Sequence, residues 1–325
     1  MAGSKRITRR RATTSIKARR QLYLTWLKRF IAVAVILLAG FLLYRTLRGY
    51  SRDEIMQSIR AIPTVRLATA LGFAAGSYFC LSWFDFFAVR YAGTPLPWHR
   101  CVLASFCSLS LGHNIGFAAL SSGAVRYRFY TRWGMKPGQV AKIIIFCGIT
   151  VGVGLLTLAG VALLLRGDLA AKMLGVTPPV AVALGGLCLA ASALYVVAAA
   201  FVRKEITIKG WTLAMPALPL ALAQVGIGSA NFACVAACLH QVLSAAGDVN
   251  YFAVAAAYVI ANGSALVTHV PGGLGVIESV VMFLLPGAGV IGALVMFRVI
   301  YFLVPLGIGG PLFGLTEIYY RGKRA

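Results

Sequence analysis

Residues Gln139 to Leu165 read QVAKIIIFCGITVGVGLLTLAGVALLL, and from Ile143 to Leu165 no residue is charged. A helix needs about 20 apolar residues to cross the hydrocarbon of a bilayer. This stretch alone is long enough. Comparable apolar runs occupy 30–44, 67–90, 101–120, 178–202, 211–241, 250–270, 273–285 and 288–316. Across the 325 residues, 60% are hydrophobic and 12% charged, with a mean hydropathy of +0.84. Soluble domains lie near about 45–50% apolar and about 25% charged. A soluble enzyme with one large core, a disordered chain and a small disulfide scaffold are all excluded by that balance. The pattern predicts an all-α, polytopic integral membrane protein with about eight crossings.

Thirty-one Lys and Arg stand against eight Asp and Glu, a net charge of +23. The basic residues gather at the chain start and between apolar runs, which fits cytoplasmic loops better than a nucleic-acid surface. Residues 1–29 form a basic tail containing Lys5, Arg6, Arg9, Arg10, Arg11, Lys17, Arg19, Arg20, Lys28 and Arg29. It is expected to be disordered and cytoplasmic, and to meet anionic lipid headgroups at about 1 kcal/mol per near-surface cation. The run Phe30 to Tyr44 follows without a small-residue cleavage site and reads as an uncleaved anchor. Residues 49–66 carry Ile55, Met56, Ile59, Ile62 and Val65 at steps of three and four, the spacing of a short interfacial helix. Residues 30–320 are expected to form one transmembrane domain, followed by a short basic tail, 321–325.

Two runs do not read as simple crossings. Residues 101–120 are interrupted by Gly112-His113-Asn114. If that run crossed fully, Arg126, Arg128, Arg132 and Lys136 would lie outside, so the positive-inside rule favours a re-entrant dip. Residues 273–285 are too short to span alone. A cytoplasmic C-terminus, favoured by Arg321, Lys323 and Arg324, then asks that segment to help make a crossing. Irregular backbone at membrane depth must be buried in protein or line a wet cavity, so function is sought at these two places.

The two places resemble each other. One has His113 and Asn114, then Gly123 three residues before Arg126; the other has Asn262 and His269, then Gly275 three residues before Glu278. Transporters are commonly built from repeats whose broken helices meet near the midplane. In Pro271-Gly272-Gly273-Leu274-Gly275 a continuous helix is disfavoured, and a helix is expected to restart near Gly275. Its free N–H groups would suit an anion, or Glu278 would cap it. Intramembrane charge costs about 2.5–3.5 kcal/mol per residue on insertion scales. Pairing of Glu278 with Arg126 or Arg298 would offset part of that cost, and Asp85 has Arg90 near one helical turn away. Glu317 reads as interfacial.

His113 and His269 are hydrogen-bonding or proton-relay candidates; no carboxylate or cysteine set completes a metal site, and no cofactor is expected. The seven cysteines lie in apolar runs without a CxxC pair and read as small buried hydrophobes. An intramembrane hydrolase would need Ser121 or Ser122 as nucleophile and His269 as base. A rhomboid-like site wants Gly-x-Ser-Gly, and Leu120-Ser121-Ser122-Gly123 departs from it.

The residues Ser122-Gly123-Ala124-Val125-Arg126, with Gly134 downstream, and Pro271 through Glu278 resemble the membrane domain of the bacterial lysylphosphatidylglycerol synthase/flippase family over about residues 25–320. The amphipathic stretch and Arg298 in the last run agree with that likeness. The resemblance implies a polytopic domain of the bacterial cytoplasmic membrane that moves phospholipid or lipid-linked groups between leaflets. The family's soluble aminoacyltransferase domain has no counterpart here, so no enzyme activity is expected. No Walker-type phosphate-binding run occurs either. The expected transport site is Arg126, Arg298, Glu278, Gly272, Gly273 and Gly275, supported by His113, Asn114, Asn262, His269 and Asp85. An anionic headgroup would enter a wet cavity between the two broken segments. A non-transporting scaffold for a lipid-modifying partner is the alternative, and a homo-oligomer is compatible with either.

Overall fold

Backbone polar groups in hydrocarbon must be satisfied within the chain, and this chain does so with helices almost throughout. The computed structural model describes residues 52–115, 118–202, 206–208, 211–268, 273, 275–284 and 290–322. The elements are α1 (Arg52–Arg60), α2 (Thr64–Tyr91), α3 (Trp98–Ile115), α4 (Ala118–Arg132), α5 (Pro137–Leu165), α6 (Gly167–Leu174) and α7 (Pro178–Phe201). After a short β-hairpin, β1 (Ile206–Ile208) and β2 (Trp211–Leu213), come α8 (Leu218–Leu243), α9 (Tyr251–Thr268), α10 (Val276–Leu284), α11 (Val290–Arg298) and α12 (Val304–Gly322). The basic tail, the run 30–44, His269, Pro271 and Gly272 lie outside the described residues.

The starts and stops follow from local chemistry. Lys136 precedes Pro137, and its backbone N–H donates to Gln139 Oε1 at 2.9 Å, which closes the first turn of α5. Gly175, in the left-handed region at φ +66°, ends α6, and the adjacent prolines then open α7. The hairpin is the departure from an all-helical chain among the described residues. Ile206 pairs with Leu213 and Ile208 with Trp211. Its β-branched and aromatic residues flank Lys209-Gly210, and that composition favours strand over helix. The apolar run read as 211–241 therefore becomes helical only at Leu218.

The chain is a polytopic membrane protein. Five helical stretches are long and apolar enough to cross: α2, α5, α7, α8 and the rod Val290–Tyr320, with Tyr251–Leu266 a shorter apolar helix. The run 101–120 is not among them. It divides between α3 and α4, which lie side by side as a hairpin, and Ser121 Oγ donates to the Gly112 carbonyl at 3.3 Å. A Cβ on Gly112 would stand 2.9 Å from Ser122 Cβ, so glycine permits this approach. The described part of 273–285 is the short helix α10, packed beside α9. Gly273 (φ +58°) and Gly275 (φ +80°) turn the chain, and α10 folds back along α9. With nine residues, α10 is about 14 Å long.

The two hairpins sit in an inverted arrangement. α2 and α8 form the central pair and run antiparallel: Arg66 Nη1 meets Gln241 Oε1 at 3.4 Å, Ser77 Oγ meets Asn231 Oδ1 at 2.7 Å, and Tyr91 OH meets the Ala214 carbonyl at 2.5 Å. Ser77 and Asn231 each lie 13 residues past the first residue of their helix. In one half α2 packs on α3 and α5; in the other α8 packs on α9 and α11. Across the halves, α3 packs on α12 and α9 on α5. The first hairpin thus begins where α2 ends, and the second begins at the opposite end of the bundle, where α8 ends. The expected internal repeat is present as a repeat of packing. Contact between α5 and α8 depends on paired glycines, because a Cβ on Gly154 would collide with the Gly228 backbone.

Candidate functional site

Each hairpin's return arm carries one buried charge into the bundle, and a long helix neutralises it. In the first half Arg126 on α4 grips Asp85 on α2. Its Nε donates to Oδ1 at 2.9 Å and its Nη2 to Oδ2 at 2.8 Å. Tyr130 OH donates to the same carboxylate at 2.6 Å. The Arg126 and Asp85 side chains are only 4% and 0% exposed. In the second half Arg298 on α11 grips Glu278 on α10, Nε to Oε1 at 2.6 Å and Nη2 to Oε2 at 3.0 Å. Arg298 Nη2 also donates to the Gly273 carbonyl at 3.0 Å. Both forks are bidentate, the geometry in which guanidinium and carboxylate attract most strongly.

Of the two partners considered for Glu278, the fold supplies Arg298. Asp85 pairs with Arg126 and not with Arg90: the Arg90 guanidinium turns back to the Phe86 carbonyl at 3.1 Å and lies 3.4 Å over the Phe86 ring. Sequence spacing offered the local cation, whereas the hairpin delivers a distant one to the same depth. The helix restart at Gly275 is as expected. Its N–H donates to Glu278 Oε2 at 2.8 Å, and Ser279 N–H bonds the Gly275 carbonyl at 3.0 Å. Glu278 therefore caps its own helix. Glu317 binds Arg132 at 2.9 Å and Arg128, joining the end of α12 to the return arm of the first hairpin.

Near the tip of the first hairpin, His113 and Asn114 meet the rod formed by α11 and α12. Asn114 Nδ2 donates to the carbonyls of Ser110 at 2.8 Å and Phe302 at 3.2 Å. The His113 ring lies 6.1 Å from Tyr301, 6.2 Å from Phe302 and 6.4 Å from Tyr78, and its buried Nδ1 has no hydrogen-bond partner. The rod widens here into a π turn, Val299–Leu303. Pro305 has no N–H to offer the Tyr301 carbonyl, to which Tyr78 OH donates at 3.5 Å. Tyr301 OH in turn donates to Ser77 at 2.9 Å, closing a polar chain through Asn231 at the centre of the α2–α8 pair. On the second hairpin, Asn262 Nδ2 donates to Tyr258 OH at 2.9 Å. Arg298 lies 5.0 Å from the Phe302 ring, so one short stretch of the rod touches features of both hairpins.

Sequence reading did not single out Ser77, Tyr130, Asn231 or Tyr301. Asn231 carried a signal, a carboxamide at the middle of a long apolar run; the aromatic hydroxyls carried none. Ser121 faces Gly112, while His269 is outside the described residues, so the hydrolase pairing lies outside them too. Among the described residues, no group of three or more His, Cys, Asp or Glu is placed to hold a metal ion.

No family model matches the chain. It is 30% identical over 281 residues to the uncharacterized protein slr0712 of Synechocystis sp., covering 84% of this chain and 86% of that one. It is also 30% identical over 309 residues to the inner membrane protein YbhN of Escherichia coli, covering 93% and 94%. The chain belongs to the YbhN family. The likeness runs through both hairpins and the central helix pair. It makes this a multi-pass membrane protein related to a bacterial inner membrane protein.

Proposed function

We propose that this YbhN relative moves a phospholipid or lipid-linked anionic headgroup between the leaflets of the bacterial cytoplasmic membrane, without catalysing a reaction. The observation that carries the reading is the pair of helical hairpins entering from opposite ends, each holding a buried Arg–carboxylate fork. Charges are costly at membrane depth and mark pathways there, and inverted repeats with broken helices are the common scaffold for alternating access. The resemblance to the lysylphosphatidylglycerol synthase/flippase membrane domain points to the same substrate class.

The forks refine the mechanism. Arg126 and Arg298 already hold carboxylates, so an entering phosphate competes with Asp85 or Glu278 for the guanidinium. Loosening one fork frees the return arm of that hairpin, and the lipid tails stay in the bilayer while the headgroup passes. Drive comes from a gradient, lipid asymmetry or a partner. Orientation follows from charge. Arg90, Arg100, Arg128, Arg132 and Lys136 gather at the end where the first hairpin begins, while Asp53, Asp168 and Asp248 offset Arg60, Arg66, Arg166 and Lys172 at the other. The first end is then cytoplasmic, as are both termini, with the basic tail on anionic headgroups.

The test is headgroup scrambling in liposomes that carry the purified protein and a quenchable fluorescent phospholipid. The expected result is protein-dependent exchange that falls sharply with Arg126→Ala and with Glu278→Ala. Undiminished exchange by both folded variants would remove the forks from the pathway. No exchange by the wild type with any anionic lipid, together with a phenotype from deletion of the basic tail alone, would favour the scaffold reading.

A further inference from the structure

His113 carries a titratable ring that neither fork uses. Its Nδ1 is sealed from solvent and has no hydrogen-bond partner, although the residue as a whole is only half-buried. Whichever ring nitrogen holds the proton of the neutral form, Nδ1 goes unpaired, and a buried polar atom left so costs stability. Such an orphan points to a group kept for something other than the fold. Three aromatic rings surround it. Tyr301 is stacked on the imidazole with 22° between the planes, and Tyr78 and Phe302 meet it edge to face. An aromatic face attracts a cation, so this cluster suits the imidazole in its protonated form. Asn114, the next residue, holds the hairpin tip in place through the Phe302 carbonyl.

Among the described residues, the charges nearest His113 belong to the first fork. Arg126 faces it from α4. On α2, Asp85 stands seven residues beyond Tyr78, two helical turns or about 10 Å along the axis. The rod contributes Tyr301, and Arg298 beside Phe302 is already matched by Glu278. Closed, each fork is neutral, with one guanidinium against one carboxylate. An entering phosphate that takes Arg126 brings in one negative charge and leaves the Asp85 carboxylate bare. Uncompensated charge is costly at membrane depth. One proton on His113, two turns from that carboxylate, restores the balance.

We propose that His113 takes up one proton for each anionic headgroup that enters, which makes the movement an electroneutral proton–lipid symport. This rests on the lipid movement proposed above and names its drive. The test uses liposomes that carry the full-length protein and a trace of acyl-labelled fluorescent phosphatidylglycerol. The leaflet distribution is read at steady state by dithionite quenching, against protein-free liposomes. An imposed gradient of about one pH unit should gather the probe about tenfold in the leaflet facing the alkaline side, because one proton moves with each lipid. A potassium–valinomycin potential at equal pH should leave the leaflets equal, since a monoanion and a proton together carry no net charge. His113→Phe, which preserves the ring packing, should show no response to the pH gradient; His113→Gln gives the same reading should the first variant fail to fold. A gradient response that persists in either folded variant overturns the assignment to His113. A wild-type distribution that follows the potential, or ignores the pH gradient, overturns the symport and leaves the lipid reading intact. No exchange by the wild type overturns that reading and the symport with it.

Discussion

Asp85→Ala is the substitution whose consequence follows most directly from the geometry. The carboxylate is fully buried and accepts from Arg126 Nε, Arg126 Nη2 and Tyr130 OH at 2.9, 2.8 and 2.6 Å. Its removal leaves a guanidinium that is 4% exposed without its counter-charge. Breaking a buried pair from one side costs about 3–5 kcal/mol, and the stranded tyrosine hydroxyl adds about 1 kcal/mol or more. The single variant should lose about 4 kcal/mol, nearly three powers of ten in the folding equilibrium. Arg126→Ala should cost about as much, since it strands the carboxylate instead. Removing the whole constellation is different. Asp85→Leu with Arg126→Met and Tyr130→Phe deletes both charges and the orphaned hydroxyl, and such replacements are often neutral or better. The assay is reversible unfolding in mixed micelles, read by tryptophan fluorescence. A single variant as stable as the wild type, or a triple variant no more stable than the singles, would refute the reasoning. Scrambling by a stable triple variant then separates structure from transport, since a purely structural fork predicts full activity.

Glu278→Gln keeps an acceptor for the Gly275 N–H and loses the charge, so it should be less damaging than Glu278→Ala by about 1 kcal/mol, the worth of a cap; equal losses in the same assay would deny the capping role. Gly154→Ala should disrupt the contact of α5 with α8 and lower the yield of monodisperse protein on size exclusion, whereas Gly152→Ala, whose Cβ meets nothing within 4 Å, should behave as wild type. His113→Phe keeps the aromatic contacts and removes the unpartnered Nδ1, so stability should hold or rise by about 1 kcal/mol; a clear loss of stability would mean that the nitrogen is bonded in the membrane.

Much of this was legible in the sequence because membrane folding obeys few rules. Run length marked the long apolar helices, although about eight crossings were expected and five such stretches stand among the described residues, and the charges from Arg126 to Lys136 pointed to the first hairpin. Pro271 through Gly275 announced a break because those residue types resist helix. Partner choice was not legible. Arg90 follows Asp85 closely enough in sequence to suggest a pair, yet its guanidinium turns back onto Phe86 instead. The true partner depends on how a hairpin of two helices packs, a long-range property that spacing does not encode. The length of 273–285 was equally ambiguous, because a short apolar helix can close a crossing or fold back, and only the two left-handed glycines decide. The π turn left one trace, Pro305, which fixes a missing N–H without saying how the helix accommodates it.

That π turn divides the rod Val290–Tyr320 into two angular phases. A residue gained within a helix rotates everything beyond it by about 100°. Arg298, just before the turn, answers to Glu278, while Tyr301 and Phe302, within it, answer to Ser77, Asn114 and His113. Less than two turns of one helix thus bridge the two hairpins, one angular phase facing each.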